Sequence, residues 1–371
     1  MLTAHSFWED LFAAPVGPGR VIRVVMSLLK KRGQPLLLLP GQARPAATTM
    51  NLYPAQTGRA RAVRLLLRCL LRASLPLGTR RVALEISPQD PFVGFLASLS
   101  GGPKGELTTL GVFAGNRGSE GQRFLLLVFN SSLTPIPVVK TGLSQRARAL
   151  ILQEESFLAA APAETTALPR LRARFESLRL CALAFDYFPG DSPRPRDEAA
   201  LPSVLSSWVD LKRTMTVSDT QDWKRLEEAA PGRDLFAALA GQLRRRKFHS
   251  AIHHGDFVPW NIKISPAGEW TVLDWERGEL VAIPGWDWFH YVIQSGILVG
   301  HLSAPGLIQR VESLLDSEAF KQYAVRAGIQ GCERELVTAY LLHVIEVIKP
   351  SEGLAVTAEL LNALSTRWRK A

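Results

Sequence analysis

Two carboxylates and a carboxamide stand near one another in the last third of the chain. Asp256 lies in Ala251-Ile252-His253-His254-Gly255-Asp256-Phe257-Val258-Pro259-Trp260-Asn261-Ile262-Lys263-Ile264. Asn261 follows it by five positions, and Asp274 follows Asn261 by thirteen, in Glu269-Trp270-Thr271-Val272-Leu273-Asp274-Trp275-Glu276. A loop bearing an Asp and an Asn, a short strand, a turn at Pro266-Ala267-Gly268 and a second strand thus deliver three oxygen-bearing side chains from one stretch. Phosphoryl transfer needs such a set: a carboxylate beside the attacking hydroxyl, and hard oxygen ligands that hold magnesium against the phosphates. Asp256 suits the first role, and Asn261 and Asp274 suit the second. Oxygen donors fit Mg²⁺ rather than zinc. His253 and His254 make no zinc site, because no third His or Cys stands at ligand spacing. A hydrogen-bonding role is expected of His254.

Such a set works only on a scaffold that also holds a nucleotide. Leu107 to Ala114, Arg123 to Phe129 and Pro135 to Lys140 read as strands, the last ending in a lysine. Between the first two lies Gly115-Asn116-Arg117-Gly118-Ser119-Glu120-Gly121, whose glycines, Gly115 and Gly118 among them, suit a turn lying over phosphates. A plain hairpin turn competes with that reading, and Gly101-Gly102-Pro103-Lys104-Gly105 is an alternative loop. A helix is expected over roughly 144–160, stopped near Pro162. In it Glu154 has Leu150, Ile151, Phe157 and Leu158 one turn to either side. A carboxylate on an apolar face requires a cation, because an unpaired buried charge is expensive. Lys140 is the natural candidate, with Glu155 nearly as well placed as Glu154. Arg172 to Ser177 and Leu178 to Phe188 read as two more strands, ending at Pro189-Gly190, and a polar, proline-rich linker follows. From residue 199 the chain reads as mostly helical, interrupted by the Asp256 stretch.

Composition sets the outer limits. The 371 residues allow two domains. Apolar residues at 47% and charged residues at 21% exclude wholesale disorder. No apolar run approaches 18 residues, and the N-terminus lacks the pattern of a secretory leader. Cys69, Cys181 and Cys332 are odd in number and far apart, which argues against a disulfide framework. A cytoplasmic setting is expected.

The charge is uneven. Residues 1–80 hold twelve Lys and Arg against Glu9 and Asp10, so the whole excess of +10 lies there. The remaining 32 basic residues are balanced by 32 acidic ones. Arg61, Arg64, Arg68 and Arg72 recur at helical spacing, with Leu65, Leu66, Leu67, Leu70 and Leu71 between them. Residues 58–73 therefore read as a basic amphipathic helix. Three readings compete: its leucines rest on a core with the arginines in water, it contacts an anionic membrane, or it docks an acidic partner. The stretch from Arg20 to Arg32 adds to the positive field. Nucleic acid is not an expected partner, since interleaved aromatics and nucleic-acid motifs are missing.

His254-Gly255-Asp256-Phe257-Val258-Pro259-Trp260-Asn261, with Leu273-Asp274-Trp275-Glu276, resembles the signature of the aminoglycoside phosphotransferase-like kinases. That superfamily includes choline, homoserine and fructosamine kinases and shares the two-lobed protein-kinase-like fold. The resemblance is specific at those twelve positions and spans 91–371. It implies an α+β, bilobal protein-kinase-like fold. In that division residues 1–90 are a basic extension, 91–190 a small antiparallel-sheet lobe for nucleotide, and 191–371 a mostly helical lobe with the catalytic loop and acceptor site. It implies an ATP- or GTP-dependent, Mg²⁺-dependent phosphotransferase acting on a hydroxyl of a small molecule or glycan-type acceptor. Asp256 would take or orient the hydroxyl proton, and Asn261 and Asp274 would bind magnesium. Lys140 would hold the α- and β-phosphates and pair with Glu154 or Glu155. The segment from Asp186 to Phe188 would offer backbone groups to adenine. Asp287, in Pro284-Gly285-Trp286-Asp287-Trp288-Phe289-His290, resembles the family's aspartate that braces the catalytic loop.

There are departures. No Gly-x-Gly-x-x-Gly is present, Trp275-Glu276 follows the magnesium Asp, and Val258 stands where protein kinases carry a lysine. Asp274 and Asp287 are too close for an activation segment, and no Ala-Pro-Glu anchor follows, so a conventional protein kinase is rejected. The competing class is a kinase-like scaffold that binds or regulates without turnover, membrane-associated through its basic segment. Catalysis is preferred because Lys140, Asp256, Asn261 and Asp274 are all present. Residues 191–230 hold nearly as many bases as acids and so do not name the acceptor.

Overall fold

The computed structural model describes residues 8–15, 21–75, 77–102, 106–115 and 121–369. The chain divides into two compact units, one of residues 1–155 and 169–189, the other of 156–168 and 190–371.

The first unit is built on an eight-stranded antiparallel sheet. Its strands are β1 (Ile22–Lys31), β2 (Gln34–Leu39), β3 (Arg80–Ile86), β4 (Leu110–Phe113), β5 (Arg123–Phe129), β6 (Pro135–Gly142), β7 (Leu171–Glu176) and β8 (Cys181–Asp186), in the order β3-β1-β2-β4-β5-β6-β8-β7. Side chains alternate across a strand, so every second residue reaches the same face. Met26 and Leu28, Leu84 and Ile86, Leu110 and Val112, Phe124, Leu126 and Val128, and Ala182 and Ala184 together form one core, into which α3 (Pro91–Ser100) packs. Leu37 and Leu39 belong to the opposite face and meet Ala46 of α1 (Ala43–Thr49) and Leu67 and Leu71 of α2 (Gly58–Arg72). Lys140 neighbours the core residue Val139 and so projects from the other face, where Glu154 of α4 (Gln145–Ala160) meets it. Ser144 starts α4 by accepting the Ala147 N–H at 3.1 Å.

This corrects the division expected from sequence. Residues 1–90 are no appended extension: β1, β2 and β3 are the outer three strands at one edge of the sheet. The stretch from Arg20 to Arg32 reads as apolar-basic, yet its apolar residues recur at period two and seat Met26 and Leu28 in the core. The expected strand at 107–114 is confined to Leu110–Phe113, and the expected pair of strands after residue 171 turns at Ser177, with Leu178 fully exposed at the tip.

The second unit holds α5 (Leu201–Ser207), α6 (Gln221–Ala229), α7 (Asp234–Leu243), α8 (Trp286–Leu298), α9 (Ala304–Asp316), α10 (Glu318–Ala327), α11 (Glu333–His343) and α12 (Leu354–Arg369). Among them run β9 (Val209–Met215), β10 (Phe248–His253) and β13 (Glu279–Ala282), which form a three-stranded sheet in the order β13-β10-β9. β11 (Ile262–Ile264) and β12 (Trp270–Val272) pair as a separate hairpin. β9 escapes a sequence reading because its five central residues are exposed and polar or singly apolar, as an edge strand permits. The core beneath the Asp256 stretch is aromatic. Trp275 is fully buried and stacks on Phe157 with ring centres 4.6 Å apart, while Trp208 meets Phe257 and Trp275 edge-on. Such packing fixes the chain on both sides of Asp274.

Candidate active site

β10 ends at His253, and the chain then leaves the sheet as the loop that carries Asp256. Asp287, in the first turn of α8, holds this loop. Its carboxylate accepts the backbone N–H groups of His254 at 2.7 Å and of Gly255 at 3.2 Å. Gly255 has φ +77°, and a Cβ there would stand 2.8 Å from the Arg277 Cβ, so both the turn and the close approach demand glycine. The family resemblance implies a bracing role for Asp287, and the His254 and Gly255 N–H groups are what its carboxylate holds.

His254 ties the loop to the hairpin. Its Nε2–H donates to the Leu273 carbonyl at 2.8 Å, and its Nδ1 accepts the Asp256 N–H at 3.1 Å. A neutral ring with the proton on Nε2 satisfies both bonds. Burial, the largest influence, pushes the His254 pKa below the usual imidazole range despite the nearby carboxylates. The Leu273 N–H in turn donates to the Asn261 carbonyl at 2.7 Å. The segments carrying Asp256, Asn261 and Asp274 are thereby tied together through backbone groups. Asp274 sits at φ +72°, a left-handed conformation that Asp tolerates better than most residues.

Both oxygens of Asp256 are engaged. His290 Nε2–H donates to Oδ1 at 3.2 Å, and the Asn261 side-chain NH₂ donates to Oδ2 at 3.0 Å and to the Asp256 carbonyl at 2.9 Å. The Tyr340 hydroxyl donates to His290 Nδ1 at 2.9 Å, which fixes the imidazole with its proton toward Asp256. Burial, the largest influence on Asp256, opposes its charge. The hydrogen bond from His290, helped by the Arg277 charge, outweighs it, and the carboxyl lies below the ordinary carboxylate range. Asp256 is therefore an oriented carboxylate at neutral pH.

His290 is the residue the sequence reading did not single out. The available signal was its position three residues after Asp287, which puts both on one face of α8. Replacing His290 with Ala should raise the Asp256 pKa and move the acidic limb of the kcat/KM profile to higher pH. A profile unchanged in its acidic limb would show that His290 does not set the state of Asp256.

Behind the loop lies a buried charge cluster. His253 Nδ1 meets Asp222 Oδ2 at 3.0 Å, and its Nε2 lies 3.3 Å from Asp287 Oδ1. Burial, the largest influence, pulls the His253 pKa down. Asp287 and Asp222 overcome it and lift the value from 6.5 to about 9. His343 Nε2 lies 3.4 Å from Asp222 Oδ1, and there burial prevails and lowers the pKa from 6.5 to about 4. The signs differ. His253 gains affinity for a proton on folding, so its contribution to stability is complete below pH 6.5 and is lost as pH rises through 9. His343 loses affinity, so stability falls as pH drops from 6.5 through 4. The thermal unfolding midpoint should peak near neutral pH. His253→Gln should flatten the alkaline limb, and His343→Gln the acidic one. Identical pH profiles for both variants would contradict this assignment.

In the first unit, the Lys140 ammonium donates to Glu154 Oε2 at 2.6 Å, with both side chains buried. Glu155, the other partner considered from sequence, instead pairs with Arg174 at 3.1 Å. Gly115 follows β4 at φ +62°, and a Cβ there would stand 2.2 Å from the Arg123 carbonyl oxygen. Gly118 and the rest of 116–120 lie outside the described residues, as do 103–105 of the alternative loop. Asp186 ends β8, its carboxylate paired with Arg172 and Arg170. The Asp186 N–H donates to the Arg170 carbonyl at 3.0 Å and the Tyr187 N–H to that of Ile136 at 2.8 Å. Those two N–H groups are therefore committed within the sheet, and Phe188 follows at its margin.

Among the described residues no group of three His, Cys, Asp or Glu side chains could hold a metal ion. Magnesium needs no such cage, since it is commonly held by one or two carboxylates with phosphate oxygens and water. With the Asn261 nitrogen engaged on Asp256, its Oδ1 and the Asp274 carboxylate are hard donors of the right kind. Among the described residues no helix is long and apolar enough to cross a membrane.

No family model and no curated protein matches the chain. Solved structures do resemble it. An aminoglycoside phosphotransferase, a thermostable mutant in ternary complex with ADP and hygromycin B, is 14% identical, with 74% of this chain and 97% of that one covered at a TM-score of 0.48. A choline kinase from Streptococcus pneumoniae is 12% identical, with 74% of this chain and 98% of that one covered at a TM-score of 0.43.

Proposed function

We propose that this chain is a Mg²⁺-dependent phosphotransferase that moves the γ-phosphate of ATP to a hydroxyl of a small-molecule or glycan-type acceptor. The observation that carries the reading is Asp256: an ionised carboxylate, oriented by His290 and Asn261, on a loop tied through His254 to the Asp274 segment.

The acceptor hydroxyl hydrogen-bonds to Asp256, and its oxygen attacks the γ-phosphorus. The bond between the γ-phosphorus and the β–γ bridging oxygen breaks, ADP leaves with that electron pair, and the hydroxyl proton passes to the Asp256 carboxylate. A carboxyl with a lowered pKa is a weak base. This is sufficient for a loose transition state, in which the proton moves late and orientation dominates. Asn261 and Asp274 hold magnesium, which neutralises charge on the phosphates when bound. Lys140, fixed by Glu154, contacts the α- and β-phosphates. Phe188 offers its backbone to adenine, a narrower assignment than the whole segment from Asp186. Gly115 fits the start of a phosphate-covering loop.

The test is calorimetric titration of the full chain with a non-hydrolysable ATP analogue, with and without Mg²⁺. Magnesium-dependent binding is expected, followed by phosphate transfer in a screen of sugars, amino alcohols and lipid-linked hydroxyls. No binding of the analogue in either condition would sink the proposal and favour a scaffold without turnover.

A further inference from the structure

Of the three readings open for α2, one sets its leucines against the body and its arginines in water, and the structure reverses much of that one. Leu67 and Leu71 do pack on the Leu37 and Leu39 core. Arg64, however, is buried, with its guanidinium donating to the Tyr53 carbonyl at 3.3 Å. On the opposite side, Leu65 is 60% and Leu66 59% exposed, and Ala62 and Cys69 are exposed beside them. Positions 62, 65, 66 and 69 fall on one face of a helix. The arginines at 61, 64, 68 and 72 form a stripe along its flank, and Arg59 and Arg72 are exposed near its ends.

We propose that this outer face of α2 binds anionic lipid bilayers, with Leu65 and Leu66 entering the headgroup boundary. Two observations select that occupant. No acidic residue occurs between Leu11 and Leu84, so the surroundings attract an anionic surface and repel a second copy of themselves. The outer face presents alkyl groups with arginines at its margin and no other hydrogen-bonding side chain. A folded protein partner is recognised through a pattern of polar groups, whereas a bilayer requires apolar area and cations whose stems can reach along it. The inference is independent of the phosphotransfer reading.

Cys69 supplies the probe, because it is exposed within this face while Cys181 and Cys332 are buried. The full chain, labelled there with a polarity-sensitive dye, is mixed with vesicles of phosphatidylcholine alone or with added phosphatidylglycerol. Unlabelled protein is followed by flotation. A blue shift and flotation are expected with the anionic vesicles only, diminishing as salt is raised. Leu65→Gln with Leu66→Gln should weaken partition by about 100-fold, since each buried leucine is worth roughly tenfold or more. Arg59→Gln and Arg72→Gln should each cost about fivefold. Melting followed by circular dichroism controls for folding, and these solvent-facing changes should leave it unaltered. Flotation equal on neutral vesicles, absent on both, or undiminished in the leucine variant would each overturn the proposal. A dimer that the leucine variant dissolves, with vesicles ignored, would assign the face to a second copy. Capture of polyglutamate in place of vesicles would assign it to an acidic polymer.

Discussion

Asp256→Asn is expected to lower turnover by about 10²–10⁴-fold while leaving affinity for ATP and Mg²⁺ unchanged. The side chain keeps its shape and loses its charge and its capacity to take a proton. It also loses one hydrogen bond, because a carboxamide oxygen replaces only one of the two acceptors that serve His290 and Asn261. The measurement is steady-state kinetics on the first acceptor found, paired with calorimetry of the non-hydrolysable analogue. If affinity for nucleotide falls as steeply as turnover, Asp256 belongs to the binding machinery and its assigned role is wrong. His290→Ala provides an internal comparison. It leaves the carboxylate in place, so its effect should appear mainly in the pH profile, with a smaller loss of rate at neutral pH.

Removing Asp274 should act on binding rather than on the proton. Asp274→Ala is expected to abolish the Mg²⁺-dependent part of nucleotide affinity, a loss exceeding the roughly 10–100-fold that outer partners of metal ligands command. Alanine is poorly suited to the left-handed backbone at φ +72°, so part of any effect could arise from strain. Asp274→Asn separates the two causes. Asparagine accepts that backbone conformation and removes only the charge. Calorimetry with and without Mg²⁺ should show both variants binding the analogue alike in the absence of metal, with the metal-dependent gain missing. A full magnesium response in Asp274→Asn would remove Asp274 from the metal site.

The candidate site of the second unit was legible because it is local. Asp256, Asn261 and Asp274 come from one continuous stretch, so a loop and a hairpin are enough to gather them, and residue type with spacing names their chemistry. Asp287 was singled out only through the family resemblance of Pro284-Gly285-Trp286-Asp287-Trp288-Phe289-His290. His290 needed the fold. Its bond to Asp256 spans 34 residues, and its orientation comes from Tyr340, another 50 residues on. The buried cluster of Asp222, His253 and His343 is longer in range still, and its opposing pKa shifts exist only because packing excludes water from it.

The first unit divides in the same way. That Glu154 required a cation followed from its apolar neighbours, and Lys140 was the candidate. The choice between Glu154 and Glu155 depended on which one faces β6, and only the packed helix decides that, sending Glu155 to Arg174 instead. The basic N-terminal segment was misjudged for a physical reason. Charge and apolar content say how a segment meets water, whereas membership of a sheet is decided by edge pairing with distant strands. β1 pairs with β3 across some fifty residues of intervening chain, and β2 pairs with β4 across seventy. The sequence by itself determined which residues are candidates for the catalytic chemistry, and it placed a basic helix at 58–73, found at Gly58–Arg72. Tertiary structure decided that the helix belongs to the sheet unit, that Arg64 turns inward and that Leu65 and Leu66 turn outward. A periodic pattern with both leucines and arginines defines the faces of a helix, and only its neighbours settle which face they cover.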